Sequence, residues 1–245
     1  MLSFDMFNNS MNELCPGLEA VDFQFNSKLG KRLTDLFQTV KQQAITDGLT
    51  GLYNRRHFDM CLANEAKRSL RLKQPFTLIT LDLDHLKKIN DENGHAYGDM
   101  AIKTVANVLK TNARSIDIPA RMGGEEFNIL LPGVDSKGAM VAAERIRKAI
   151  EANELDVIGH ITASIGVATY FEHTENAEEL LELTDQAMYI SKSQGRNRVT
   201  LATPVTETLW QEVAVNTFVE ILEKRSFHIP QNTLDSLNKI LQNYK

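Results

Sequence analysis

From Ser27 to Ile45 the apolar positions Leu29, Leu33, Leu36, Val40 and Ala44 recur at steps of three and four residues. That spacing predicts a helix with a narrow apolar stripe. Two heptads leave two uses of the stripe open, packing on the helix's own domain or pairing with a second copy. Residues 1–27 show no clean period. The Gly-punctuated stretch "TDGLTGLYNRRHF" (46–58) predicts a turn and then a helix through about Lys73, with Phe58, Leu62, Ala66 and Leu70 on one face. "FTLITLDLD" (76–84) predicts a buried strand ending in two carboxylates. A short helix over about 85–92 precedes "NGH", and a longer one over about 97–113 carries Met100, Ile102, Val105 and Leu109. "PARMG" and "EFNILLP" predict two strands joined through Gly123 and Gly124, a hairpin with a glycine pair at its tip. A helix (about 136–152), a strand (160–170), a helix (about 176–193) and a strand (197–201) follow. After Pro204, residues 206–225 and 232–244 predict two amphipathic helices separated by Pro230.

Strands alternating with helices around one central hairpin imply an α/β (α+β) sandwich with a mixed, mostly antiparallel sheet. The chain divides on this reading into an N-terminal extension (1–45), a central domain (46–203) and a C-terminal helical extension (204–245). The 245 residues, 42% hydrophobic and 24% charged, suit a soluble globular protein able to build a core without staples. Cys15 and Cys61 show no CxxC spacing and read as free thiols in a reducing compartment. The net charge of −5 argues against a broad nucleic-acid surface but leaves room for a small basic nucleotide pocket. The first residues lack a basic and then apolar secretory pattern, and no stretch approaches the ~18 apolar residues of a membrane span. A cytoplasmic location is expected.

"RMGGEEF" (121–127) sets two adjacent glutamates on a tight glycine turn, where like charges repel and a bound cation is the obvious partner. Asp82 and Asp84 alternate with Leu83 on the preceding strand, so both side chains share a face. Such a pair meeting Glu125 or Glu126 suits a hard cation such as Mg²⁺, which takes oxygen ligands and bridges to phosphates. A calcium loop is excluded because Leu86 stands where a third oxygen ligand is required, and no P-loop pattern occurs.

"TDGLTGLYNRRHF", "DLDHLKKINDENGHAYGD", "RMGGEEF" and "SKSQGRN", in this order, strongly resemble the GGDEF family of diguanylate cyclases, from about Thr46 to Leu201. The resemblance implies a fold similar to the polymerase palm and the nucleotidyl cyclases. It also implies condensation of two GTP into cyclic di-GMP and two pyrophosphates with Mg²⁺, or Mn²⁺ in its place. By the family pattern Asp82, the Leu83 carbonyl and Glu125 hold metal, with Glu126 as a further ligand or catalytic carboxylate. Asn90 and Asp99 match the guanine-reading positions. The Asp99 carboxylate favours guanine, whose N1–H and exocyclic amine can both donate to it. Lys87 matches a residue near the phosphates, and Lys192 and Arg196 the triphosphate-binding pair. Arg114 and Asp117 form an R-x-x-D at the spacing of the family's inhibitory product site, with Arg145 as a secondary arginine. Leu86 and Met122 replace the family's common Phe and Tyr, at positions of packing. His85 and His95 are assigned to turn or surface, not to metal.

Two readings follow. The leading one is an active, product-inhibited diguanylate cyclase that works as a homodimer, because one domain binds one GTP and the product needs two. The rival is a catalytically silent protein of the same fold that binds cyclic di-GMP or GTP as a regulatory ligand. A purine cyclase making a monomeric product would need a different signature. No nucleic-acid partner is expected.

Overall fold

The computed structural model describes residues 44–203, and before them Arg32, Asp35, Leu36, Thr39 and Val40. The chain divides into two units at Thr46/Asp47. In the first, the described residues up to Ile45 are helical, with Leu36 and Val40 exposed. Leu29, Leu33, Cys15 and the expected helices over 206–225 and 232–244 lie outside the described residues.

The second unit is organised by strand β2 (Phe76–Leu83), all eight residues of which are buried. It pairs antiparallel with β4 (Glu126–Pro132) on one side and β7 (Ala163–Thr169) on the other. Beyond β4 lie β3 (Ile118–Gly123), antiparallel, and β1 (Tyr53–Asn54), parallel to β3. Beyond β7 lies β8 (Val199–Leu201), again parallel. The resulting order is β1-β3-β4-β2-β7-β8, the expected mixed sheet with an antiparallel centre.

Period-two alternation sends Ile79, Leu81 and Leu83 to one face, with Phe127, Ile129 and Leu131 beside them. Helices α2 (Leu86–Asn93), α3 (His95–Asn112) and α4 (Ser136–Glu151) cover that face through Ile89, Val105, Leu109 and Ile146. Phe76, Leu78 and Leu130 point the other way, against Phe58 and Leu62 of α1 (Arg55–Leu72) and Leu180 and Ala187 of α5 (Ala177–Ser193). Both faces are therefore covered, which is why β2 reads as a near-continuous apolar run. The α5 helix sits directly on β7. A Cβ on Gly166 would lie 2.0 Å from the Thr184 carbonyl oxygen and 2.4 Å from the Met188 nitrogen. Three helices begin at side-chain caps: Asn54 accepts from the His57 N–H, Asp135 from Gly138, and Asn176 from Glu178 and Glu179.

Three elements differ from expectation. The strand expected over 160–170 is β7 alone; Gly159–His160 forms β6, which pairs with β5 (Glu154–Leu155) in a separate two-stranded ribbon. The helix expected from about 97 starts at His95, because Gly94 (φ 91°) closes α2 with its N–H on the Asn90 carbonyl. β1 is two residues long, too short to leave a period. No helix among the described residues is long and apolar enough to cross a membrane.

Candidate active site

Strand β2 ends beside the β3–β4 hairpin, and their pairing sets Asp82 opposite Glu126. The Leu83 N–H donates to the Glu125 carbonyl at 3.2 Å, which ties the hairpin tip to the strand end. The tip itself needs its glycines: Gly123 (φ 149°) and Gly124 (φ 51°) carry the chain around after a register shift at Arg121. Arg121 then fixes the turn. Its guanidinium donates to the Gly124 carbonyl at 3.1 and 2.8 Å and to the Asp47 carboxylate at 3.2 and 3.3 Å. Asp47 also accepts from the N–H and hydroxyl of Thr50. The "TDGLTG" turn thus braces the hairpin, a role that no single residue of the motif announced.

Asp82 is 3% exposed and receives Lys192 Nζ at 2.9 Å. Burial pushes its carboxyl above the ordinary carboxylate range, Lys192 pulls it back, and Glu126 and Asp84 push it up further. Glu125 is raised too, first by burial and then by Asp82, with Lys192 opposing. Asp82 and Glu125 thus each feel Glu126 and Asp84 as well as the one Lys192 ammonium. An oxygen-rich corner with excess negative charge has the chemistry that a hard divalent cation takes. Among the described residues no three acidic, His or Cys side chains converge into a ready-made cage.

Asp84, although it raises both of those carboxyls, is itself tied into the fold. Its carboxylate accepts from Thr162 Oγ1 at 2.8 Å, Ser164 Oγ at 2.7 Å and the Asn197 N–H at 3.1 Å. The aspartates that look equivalent in sequence have different partners, Lys192 for Asp82 and two hydroxyls with a backbone N–H for Asp84.

Lys87 and Asp99 are exposed near the starts of α2 and α3, and Arg196 is exposed past the end of α5. Asn90 packs its amide on Gly98, where a Cβ would lie 2.0 Å from Asn90 Oδ1. That oxygen is buried and has no hydrogen-bond partner among the described residues. A buried acceptor without a donor costs about 1–3 kcal/mol, so an N–H from a bound base would relieve it.

Residues 44–198 match the family model described as "Diguanylate cyclase, GGDEF domain". The chain belongs to the GGDEF family. It is 38% identical over 167 residues to diguanylate cyclase A of Treponema denticola, covering 66% of this chain and 45% of that one. It is 41% identical over 165 residues to diguanylate cyclase DgcP of Pseudomonas aeruginosa, covering 66% of this chain and 24% of that one. The chain therefore spans less than half the length of these curated relatives. Among solved structures, the GGDEF domain of DgcB from Caulobacter crescentus in complex with c-di-GMP aligns with a TM-score of 0.62 at 36% identity. That alignment covers 64% of this chain and 95% of the other.

On the far side of the GGDEF sheet from α1 and α5, the R-x-x-D residues come together. Arg114 donates to Asp117 from its backbone N–H (2.8 Å), Nε (3.0 Å) and Nη2 (2.7 Å). Asp117 is buried while Arg114 is half-exposed. Arg145 on α4 holds Asn112 through its side-chain oxygen and backbone carbonyl, both at 3.1 Å. All three line a cavity of about 240 Å³ with an apolar floor that includes Leu131 and Ile146.

Proposed function

We propose that this chain is an active diguanylate cyclase, converting two GTP into cyclic di-GMP and two pyrophosphates. The observation that carries the reading is the buried Asp82, paired with Lys192 at 2.9 Å beside a Glu125 whose carboxyl is also pushed up. Such a corner supports binding of a divalent cation and a polyphosphate together.

Each half-reaction forms a bond from a 3′-oxygen to an α-phosphorus and breaks the bond from that phosphorus to pyrophosphate. A bound Mg²⁺, or Mn²⁺, would supply charge stabilisation of the attacking and leaving oxygens. Asp82, the Leu83 carbonyl and Glu125 would hold the cation, and Glu126 would stand beside them as a further ligand or catalytic carboxylate. Lys192 and Arg196 would bind the triphosphate, with Lys87 nearby. Asn90 and Asp99 would read guanine: the unpartnered Asn90 Oδ1 accepts an N–H, and the Asp99 carboxylate two more. Adenine cannot satisfy that pair, and leaving polar groups unpaired is what makes such sites selective.

Residues 46–203 would form the catalytic domain, with 1–45 and 204–245 as extensions. Two domains facing across a two-fold axis would bring two GTP together, so a homodimer is the working unit. Arg114, Asp117 and Arg145, around their shared cavity, would take cyclic di-GMP and give product inhibition. Arg suits guanine O6 and N7, and Asp its N–H edge. A cytoplasmic setting suits a nucleotide substrate and free thiols.

Chromatography of the products formed from GTP with Mg²⁺ tests this directly. Cyclic di-GMP should accumulate and then stall before GTP is exhausted. Glu125→Gln should fold and make none, and wild-type turnover in that variant would overturn the metal assignment. GTP or cyclic di-GMP binding without any product, at concentrations that force dimers, would favour a silent regulatory protein.

A further inference from the structure

We infer that Asp84 is a positioning residue that seats the loop carrying Arg196 against the end of the metal-binding strand. The inference rests on the cyclase reading for what the loop does, but not for how it is held.

The loop adopts a conformation that needs holding. Arg196 (φ 62°) and Asn197 (φ 45°) are consecutive non-glycine residues in the left-handed region, sparsely populated for side-chain-bearing residues. The Arg196 N–H is anchored to the Ser191 carbonyl at 2.9 Å, which fixes the loop to the last turn of α5. The Asn197 N–H is anchored to Asp84 Oδ2 at 3.1 Å. The Asn197 side chain is gripped by α4, donating to Glu151 at 2.7 Å and accepting from Arg147 at 2.6 Å. Arg196 is therefore fastened on both sides, with its own side chain left exposed.

Asp84 is the hub of this arrangement. It is 4% exposed, and its backbone N–H donates to the Thr162 carbonyl at 2.9 Å while its carboxylate takes the Thr162 and Ser164 hydroxyls. One residue thus joins β2, the start of β7 and the loop. It stands two positions from Asp82, so the strand end that would carry the cation and the loop that would carry a phosphate-binding guanidinium share one fastening. Coupling of this kind matters because binding groups misplaced by about 1 Å lose much of their effect.

Asp84→Ala removes the acceptor for the Asn197 N–H. The paired variant Thr162→Val/Ser164→Ala removes the two hydroxyl donors and leaves the Asn197 contact in place. Asp84→Asn keeps one acceptor oxygen and should restore the loop. Measured with GTP turnover, equilibrium binding of a non-hydrolysable GTP analogue and amide exchange at Asn197, Asp84→Ala should raise KM and the analogue's Kd about tenfold. That is the scale of one lost charge-assisted hydrogen bond. It should leave kcat and the Mg²⁺ midpoint at saturating GTP close to wild type, and it should speed Asn197 exchange. The hydroxyl pair should lower Tm without moving KM. If the alanine variant does not fold, Asp84→Ser carries the same expectation, since its hydroxyl is too short to reach Asn197. A folded variant with unchanged Kd and unchanged exchange overturns the inference. A shifted Mg²⁺ midpoint with unchanged KM overturns it in favour of Asp84 as a cation ligand. A wild-type protein that makes no product defeats the cyclase reading alone, because binding and exchange still decide the role of Asp84; one that also binds no analogue defeats both.

Discussion

Replacing Lys192 with Met should move cation binding and nucleotide binding in opposite directions. Lys192 Nζ lies 2.9 Å from Asp82 Oδ2, with the two side chains 28% and 5% exposed. A charge-assisted hydrogen bond of this kind contributes about 1.5–3 kcal/mol, and Asp82 would be left buried without a counter-charge. Part of that loss is returned when Asp82 takes a proton, so a net cost of about 2 kcal/mol is expected. In a domain of this size that lowers Tm by roughly 4–8 °C. The same ion pair is what an incoming Mg²⁺ must displace or repel. Removing it should therefore tighten Mg²⁺ binding to the nucleotide-free protein, by about tenfold for each 1.4 kcal/mol returned. GTP affinity should fall, because the triphosphate loses a cationic contact.

Calorimetric titration of Mg²⁺ into nucleotide-free wild type and Lys192→Met, with parallel melts, measures both effects. Mg²⁺ at 100 times its Kd adds about 2.7 kcal/mol of stability, so the variant should regain most of its lost Tm in saturating Mg²⁺. Weaker or equal Mg²⁺ binding in Lys192→Met would refute the reasoning that the ammonium competes with a cation for Asp82.

The raised carboxyls of Asp82 and Glu125 make a second prediction, whose sign follows from their direction. A carboxyl whose folded pKa lies above its unfolded value favours the fold below the ordinary carboxylate range of about 4, and that advantage is lost as pH rises through the folded pKa. Metal-free protein should therefore lose stability from about pH 4 upward through these groups, and Mg²⁺ at neutral pH should restore it in thermal melts. Arg114→Ala should relieve product inhibition in a progress curve while leaving the initial rate near wild type; an unchanged stall would place the inhibitory site elsewhere. Gly166→Ala should destabilise by about 3 kcal/mol or more, because the new Cβ would meet the α5 backbone at 2.0 Å; a melt within 1–2 °C of wild type would contradict that packing.

What the sequence made legible was local. The apolar run of β2 predicted a buried strand, and the helices expected over about 97–113 and 176–193 correspond to α3 and α5, because each element buries apolar positions against a neighbour. The motif residues Asp82 and Glu125 were legible because they sit at element ends, where a run of apolar positions stops. The unread parts are those fixed across the chain. Asp84 finds partners 78, 80 and 113 residues away, and Arg121 finds Asp47 at a separation of 74. Such contacts leave no period, since the hydroxyls of Thr162 and Ser164 look like ordinary strand-edge residues until the sheet order is known. The ribbon β5–β6 escaped for a related reason: two-residue strands carry too few positions to alternate.

This division explains why Asp82 and Asp84 read alike and act differently. Both alternate onto one face of β2, and the register of β4 and β7 then separates them. Asp82 faces Glu126 across the strand pair and, among the described residues, is met by Lys192, so its negative charge is partly uncompensated. Asp84 meets two hydroxyls and a backbone N–H, so its charge is spent on holding the fold. A carboxylate with few donors is open to a ligand, and one whose demand is met holds its neighbours in place. Reading a motif therefore requires counting the donors that reach each oxygen, and that count is a property of the sheet.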